Sequence, residues 1–212
     1  MGGVTASRQK AGHSVHSGMV HSLAVRQLGS LAEEFAAVRA KFSALETRVS
    51  QADWGRRPSP AEWSVAECLA HLNLTSAAMV PPIRRALREA HTIPGVASRQ
   101  YSQRWIGRIL ASMMGPVRIV AGFKLGKIHT PPPFVPGSEL PRASVCEEFH
   151  RWQEEELQLV RDAAGLAIDQ VQVESPFKAG VFYDGYSALV ILPRHEMRHL
   201  VQAERALEAL SR

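Results

Sequence analysis

Between about Ser22 and Ser50, apolar residues return every three or four positions: Leu28, Leu31, Phe35, Val38, Phe42, Leu45 and Val49. That is the period of a helix with one face turned to a core. Asp53-Trp54-Gly55 and Pro58-Ser59-Pro60 break the pattern. A second helix opens at Ser64, with Glu67 three residues on, the pairing of a capping box. It carries Val65, Cys68, Leu69, Leu72, Met79 and Ile83 and runs to about Ala90. Pro81-Pro82 should kink it or end its first half. A third pattern spans Ser144 to Ala164, with Val145, Phe149, Trp152, Leu157 and Val160 inward. A fourth runs from about Ser187 to Leu210, where Leu189, Leu192, His195, His199, Gln202 and Ala206 share one face.

Residues 92–141 are less regular. A basic amphipathic segment, Tyr101 to Phe123, places Trp105, Ile109, Leu110, Met113, Val117 and Val120 near helical spacing, with Gly115-Pro116 as an interruption. Pro131 to Pro136 follows as an extended stretch, and Val171 to Phe182 is a second candidate for extended chain. Together these patterns predict an all-α fold, an up-down four-helix bundle with a long irregular, partly helical crossover between helices 2 and 3. Residues 1–20 are rich in Gly, Ser and His without any period. They are expected to form a disordered leader, with residues 21–212 as one bundle domain. On such a leader, His13, His16 and His21 are more simply incidental than a metal tract.

Composition adds bounds. The chain has 212 residues, 45% hydrophobic and 21% charged, enough for one domain with a stable core. Two cysteines, Cys68 and Cys146, are too few for a disulfide framework. With no secretory signal and no apolar run near the ~18 residues of a membrane span, a cytoplasmic protein without a membrane span is expected. The net charge of +5 is uneven: Arg84 to Lys127 holds nine Lys/Arg and one acid, whereas Arg142 to Glu174 holds eight acids and three Arg. No nucleic-acid motif accompanies the basic stretch, so no specific nucleic-acid partner is expected. A small-molecule substrate is, and a homodimer is allowed.

The fourth helix carries His195-Glu196-Met197-Arg198-His199. Four residues apart on a helix, the two imidazoles stack one above the other and can grip one ion. The spelling HExxH is that of zinc proteases, in which the Glu is a general base. Those sites take a third ligand downstream, but here only thirteen residues follow His199 and none is His. His71, in the middle of the second helix among apolar residues, is the best candidate for the third ligand. His91, His129 and His150 have weaker claims. Glu67, one turn before His71, is a candidate base or partner of that imidazole, beside its capping role. Cys68 is read as a small core residue before a ligand. Gln202 is expected to face the site. Glu196 is either the base of a hydrolase or, more simply, a brace to a neighbouring helix.

Two segments carry a resemblance. Trp63-Ser64-x-x-Glu67-x-x-x-His71-Leu72 and His195-x-x-x-His199-x-x-Gln202 resemble the DinB superfamily. Ser175-Pro176-Phe177, Tyr186 to Leu192 and Arg198-His199-Leu200 are similar to it as well. The resemblance covers about residues 25–210. It implies a four-helix bundle holding a divalent metal, commonly zinc or nickel, on three histidines, here His71, His195 and His199. It also implies, for some members, transfer or isomerisation that uses a low-molecular-weight thiol. Arg198 is then the candidate contact for an anionic cofactor. Three neutral imidazoles leave the charge of a divalent ion uncompensated, which would draw down the pKa of a thiol from ~8.5 or of a water to about 7. A hydrolase using Glu196, or a binding module in which metal only knits helices, stands as the alternative.

Overall fold

In a computed structural model the protein is described over residues 11–94, 100–114, 119–120, 123–124 and 130–211. Residues 1–10, Val117 and His129 lie outside them. Four long helices form the body: α1 (Ala11–Arg48), α2 (Val65–Ala90), α4 (Arg142–Asp162) and α5 (Gly185–Leu210), with a shorter α3 (Trp105–Met114) in the crossover. All seven apolar residues of the first stripe, Leu28 to Val49, are buried. The helix begins well before Ser22, however. Residues 11–20, read as leader, are helical, and no proline stands in their way. Extending an existing helix adds one hydrogen bond per residue fixed and skips the costly nucleus.

The start of α2 is set as the sequence suggests. Ser64 Oγ accepts from the Glu67 N–H at 3.2 Å, and the Glu67 carboxylate accepts from the Ser64 N–H at 2.9 Å. Such a cap stabilises by about 1 kcal/mol. The helix also runs unbroken through Pro81-Pro82, where a kink or stop was expected. Pro81 is exposed and Pro82 half-buried, as are Ala77 and Ala78, whose carbonyls lose their in-helix donors. Those carbonyls lie towards the outer side, where water can replace the missing donors. On the inner side Met79, Val80 and Ile83 are fully packed and hold the two halves together.

The apolar core falls into two clusters. One joins Ala24–Phe35 of α1 to Met79–Ala90 of α2, to Leu159, Val160 and the following Ala163 at the end of α4, and to the first half of α5. The other joins Val38–Val49 to Val65–Leu72, Val145–Phe149 and Leu200–Leu207. The end of α1 therefore meets the beginnings of α2 and α4 and the end of α5. Direction along the chain is up, down, down, up, because the long crossover brings α4 back parallel to α2. Each of α1 and α2 packs against both α4 and α5, so α1 faces α2 across the bundle. This is the expected four-helix bundle, with its middle pair parallel.

Short strands accompany the helices: β1 (Ile119–Val120) pairs with β2 (Phe123–Lys124), and β3 (Gln172–Glu174) pairs antiparallel with β4 (Phe182–Asp184). The second hairpin hands the chain to α5. Asp184 caps that helix, its side chain accepting from the Ser187 N–H at 2.7 Å. The same carboxylate accepts from the Arg104 N–H at 2.8 Å, at the start of α3. Gly107 then lets α3 lie against α5, since a Cβ there would fall 2.1 Å from Ser187 Oγ.

Candidate metal centre

Between the two apolar clusters, α2, α4 and α5 bury a belt of polar side chains. His71 comes from α2, and His195 and His199, one turn apart, from α5. Neighbouring antiparallel helices thus bring together residues 124 positions apart in the chain. The ring centroids of His71 and His199 are 4.4 Å apart, those of His195 and His199 4.6 Å, and those of His71 and His195 5.3 Å. One nitrogen of each ring lies within 4.8 Å of the others, so the three can hold a metal ion.

His71 Nδ1 donates to the carbonyl of Phe134 at 2.8 Å. That bond fixes the tautomer and leaves Nε2 with a free lone pair, the arrangement usual around a ligating histidine. The His71 and His195 Nε2 atoms are 3.4 Å apart. Two nitrogens bound tetrahedrally at ~2.0–2.1 Å sit about 3.4 Å from each other, so the spacing suits a metal. His199 Nδ1 is buried and has no hydrogen-bond partner, although Gln202, half-buried one turn on, approaches the ring and favours its charged form slightly.

All three imidazoles are held neutral. Burial lowers the pKa of His71, and burial together with His71 and Arg198 takes His195 down to about 3. Burial and the same neighbours, with His195, lower His199 strongly as well. Neutral imidazole is the ligating form. Aromatic rings wall the site: Trp63 lies 5.1 Å from His71 and 6.0 Å from His199, and Phe177 lies 6.0 Å from His195 and 4.7 Å from Phe134.

The other candidates sit elsewhere. Glu67 is committed to the cap and to Arg57, which donates to both its oxygens. Burial pushes the Glu67 carboxyl up, but Arg57 and Ser64 outweigh it and hold the pKa below the ordinary value. The Cys68 thiol is fully buried and pushed up by that burial, and it stands outside the ligand group. Glu196 points into the bundle, 2% exposed, and accepts from the Gln153 amide of α4 beside buried Glu156. Arg198 donates to the Met113 carbonyl at 2.8 Å, at the end of α3, while its charge is felt by His195 and His199. Arg84 pairs with Glu155 at 2.9 Å. Thirteen residues beyond His71, it is about 20 Å further along α2, so the basic residues of that helix end do not line the site. Two surface grooves, of about 540 and 490 Å³, are lined by none of His71, His195 and His199, the first including His150 instead.

The model of the DinB superfamily matches residues 34–203, which include all three histidines. The chain belongs to the DinB superfamily. No curated protein and no solved structure matches it. The structure of this DinB-superfamily chain brings together the three histidines that the sequence singles out, and adds the Phe134 carbonyl and the ring wall, which the sequence does not announce. A backbone carbonyl carries no side-chain signal. The Pro131–Pro136 run only hinted that the chain there is stiff. Trp63 and Phe177 stood in segments similar to the family without showing which way they face.

Proposed function

We propose that this DinB-superfamily protein is a metal-dependent enzyme that activates a low-molecular-weight thiol and transfers it to a small electrophile. The observation that carries the reading is a set of three neutral, convergent histidines with no fourth Cys, His, Asp or Glu ligand among the described residues. Three protein ligands and an open position are the pattern of catalytic zinc sites, whereas structural sites are closed by four. Bound there, a divalent ion, zinc or nickel, supplies Lewis acidity that lowers the pKa of a thiol or water taking the open position.

The chain's own groups have separable parts in this scheme. The Phe134 carbonyl orients His71, Trp63 and Phe177 keep bulk water from the rings, and Arg198 adds positive charge beside them. That charge favours a thiolate and an anionic thiol compound. The burial of Glu196 against Gln153 and Glu156 supports a brace rather than the base of a peptidase.

The test is elemental analysis of protein purified without a nickel column, followed by thiol consumption against a bimane electrophile. Near-stoichiometric metal in the parent and a large loss in His71→Ala are expected. Metal-dependent consumption of one of the small cellular thiols should follow. A parent free of metal, or a loaded protein that consumes no thiol beyond the metal-free control, overturns the reading.

A further inference from the structure

α3 is fastened to the bundle on one side and bare on the other. Gly107 and Ala111, both buried, lie against the body, with Leu110 and Met114 partly covered. Asp184 holds its first turn and Arg198 its last. The opposite side presents Trp105, Ile109 and Met113, four residues apart and so in one row, at 67%, 50% and 47% exposure. Exposed Arg104 and Arg108 flank that row. Exposing a tryptophan this far is costly for an isolated soluble chain, and a row of three large apolar side chains marks a contact surface.

Charge indicates what the row contacts. Between Glu89 and Glu139 the chain has no Asp or Glu, while Arg99, Arg104, Arg108, Arg118, Lys124 and Lys127 fall in that interval. Such a stretch repels basic partners and attracts anionic ones. An apolar row with tryptophan at one end and arginine beside it is the composition of a helix that lies in a lipid interface. Nucleic acid would use the charge but leave the row of Ile109 and Met113 in water. A second copy of the chain would have to cover arginines with a face of matching acids. Of the acids of α4, Glu154 is already engaged with Arg39, and Glu155 with Arg84 and Arg151.

We propose that the outer face of α3 docks the protein on an anionic lipid surface, with Trp105, Ile109 and Met113 in the interface and Arg104 and Arg108 at the headgroups. Docking is peripheral, since no helix of the described residues is long and apolar enough to cross a membrane. It also couples the docked helix to the histidine site, on whose reading as a metal centre this last step rests, because Arg198, the residue before His199, donates to the Met113 carbonyl at the end of α3.

Sedimentation of the full-length protein with vesicles tests this. Vesicles of equal parts phosphatidylglycerol and phosphatidylcholine should carry the protein down at low salt, and pure phosphatidylcholine should not. Trp54 and Trp152 are buried and Trp63 half-buried, so a blue shift of the emission on binding reports Trp105. Trp105→Phe should keep the binding and lose the shift. Arg108→Glu should weaken binding by about thirty-fold, from a roughly five-fold effect per unit charge near the surface. Because both side chains are exposed, circular dichroism should be unchanged in either variant. Failure to bind anionic vesicles, or binding that Trp105→Glu and Arg108→Glu leave intact, overturns the proposal. So does a dimer that Trp105→Glu dissociates, or an oligonucleotide that binds this face in place of vesicles.

Discussion

Two carboxyls buried side by side make the folding of this bundle depend on protons. Glu156 is fully buried and Glu196 nearly so, with one amide, Gln153, donating to both. Burial raises the pKa of each. Glu156 is pushed up to about 7, the hydrogen bonds from Glu196 and Ser76 opposing that rise, and Glu196 is raised further by the charge of its neighbour. In the unfolded chain both return to ~4.3. Between those values the folded state binds more protons than the unfolded one. The stabilisation is therefore complete below the unfolded pKa and is lost as pH rises towards 7. Glu156→Gln removes one titrating group and offers an amide to Glu196 Oε2, which has no partner. We expect its urea midpoint to fall less than that of the parent between about pH 5 and pH 8, and an equally steep fall in the variant would contradict the assignment. Glu67 has the opposite character, since its carboxylate is charged and structurally engaged. Glu67→Ala should lose about 1 kcal/mol in urea unfolding and leave the metal content at the parental value. A drop in metal would restore Glu67 to the site.

The elements were legible wherever a stripe was long enough to show a period. The α1 stripe, the capping box of α2 and the inner face of α4 all match the sequence pattern, with Leu157 only half-buried. Strands of two or three residues are too short to establish an alternation, so the hairpins went largely unread. Prolines misled for a different reason: their local cost is real, but packing on the far side of α2 exceeds it. That cost can be recovered. Pro81→Ala restores an N–H facing the Ala77 carbonyl and should raise stability by about 1–3 kcal/mol, reduced somewhat by the freer unfolded chain. No gain in a thermal melt would mean that the helix is already relaxed around the ring. Gly107→Ala should act the other way. Its Cβ would meet Ser187 Oγ and Cβ at 2.1 and 2.4 Å, so α3 must lift from α5 at a cost of about 1–3 kcal/mol. Hydrogen exchange should show α3 opening in that variant, with the rest of the bundle protected as before.

At the scale of the whole molecule, the polar belt decides what binding does to the fold. Among the described residues α1 buries no polar side chain, whereas α2 interrupts its apolar face with His71 and Ser76, α4 with Gln153 and Glu156, and α5 with Glu196 and His199. Three helices thus meet through polar groups, of which Gln153 Oε1, Glu156 Oε1, Glu196 Oε2 and His199 Nδ1 have no hydrogen-bond partner. Periodicity could show that His195 and His199 share a face. Only the up-down-down-up path, set by the length of the crossover, shows that His71 arrives opposite them. The same path makes the Phe134 carbonyl part of the site, because the crossover must pass over α2 before α4 begins. A metal held by His71, His195 and His199 would clamp α2 to α5 within this polar layer. An ion that binds only the folded state stabilises it by about 4 kcal/mol when present at ~1,000 times its Kd. For a chain of this size that corresponds to a rise in Tm on the order of 10 °C. Removing metal with a chelator should therefore lower the Tm of the parent by that order, and readdition of zinc or nickel should restore it. His71→Ala should melt near the chelated parent and respond little to either treatment. Equal responses in the two proteins would place the stabilising ion elsewhere, and with it the premise that these histidines form one site.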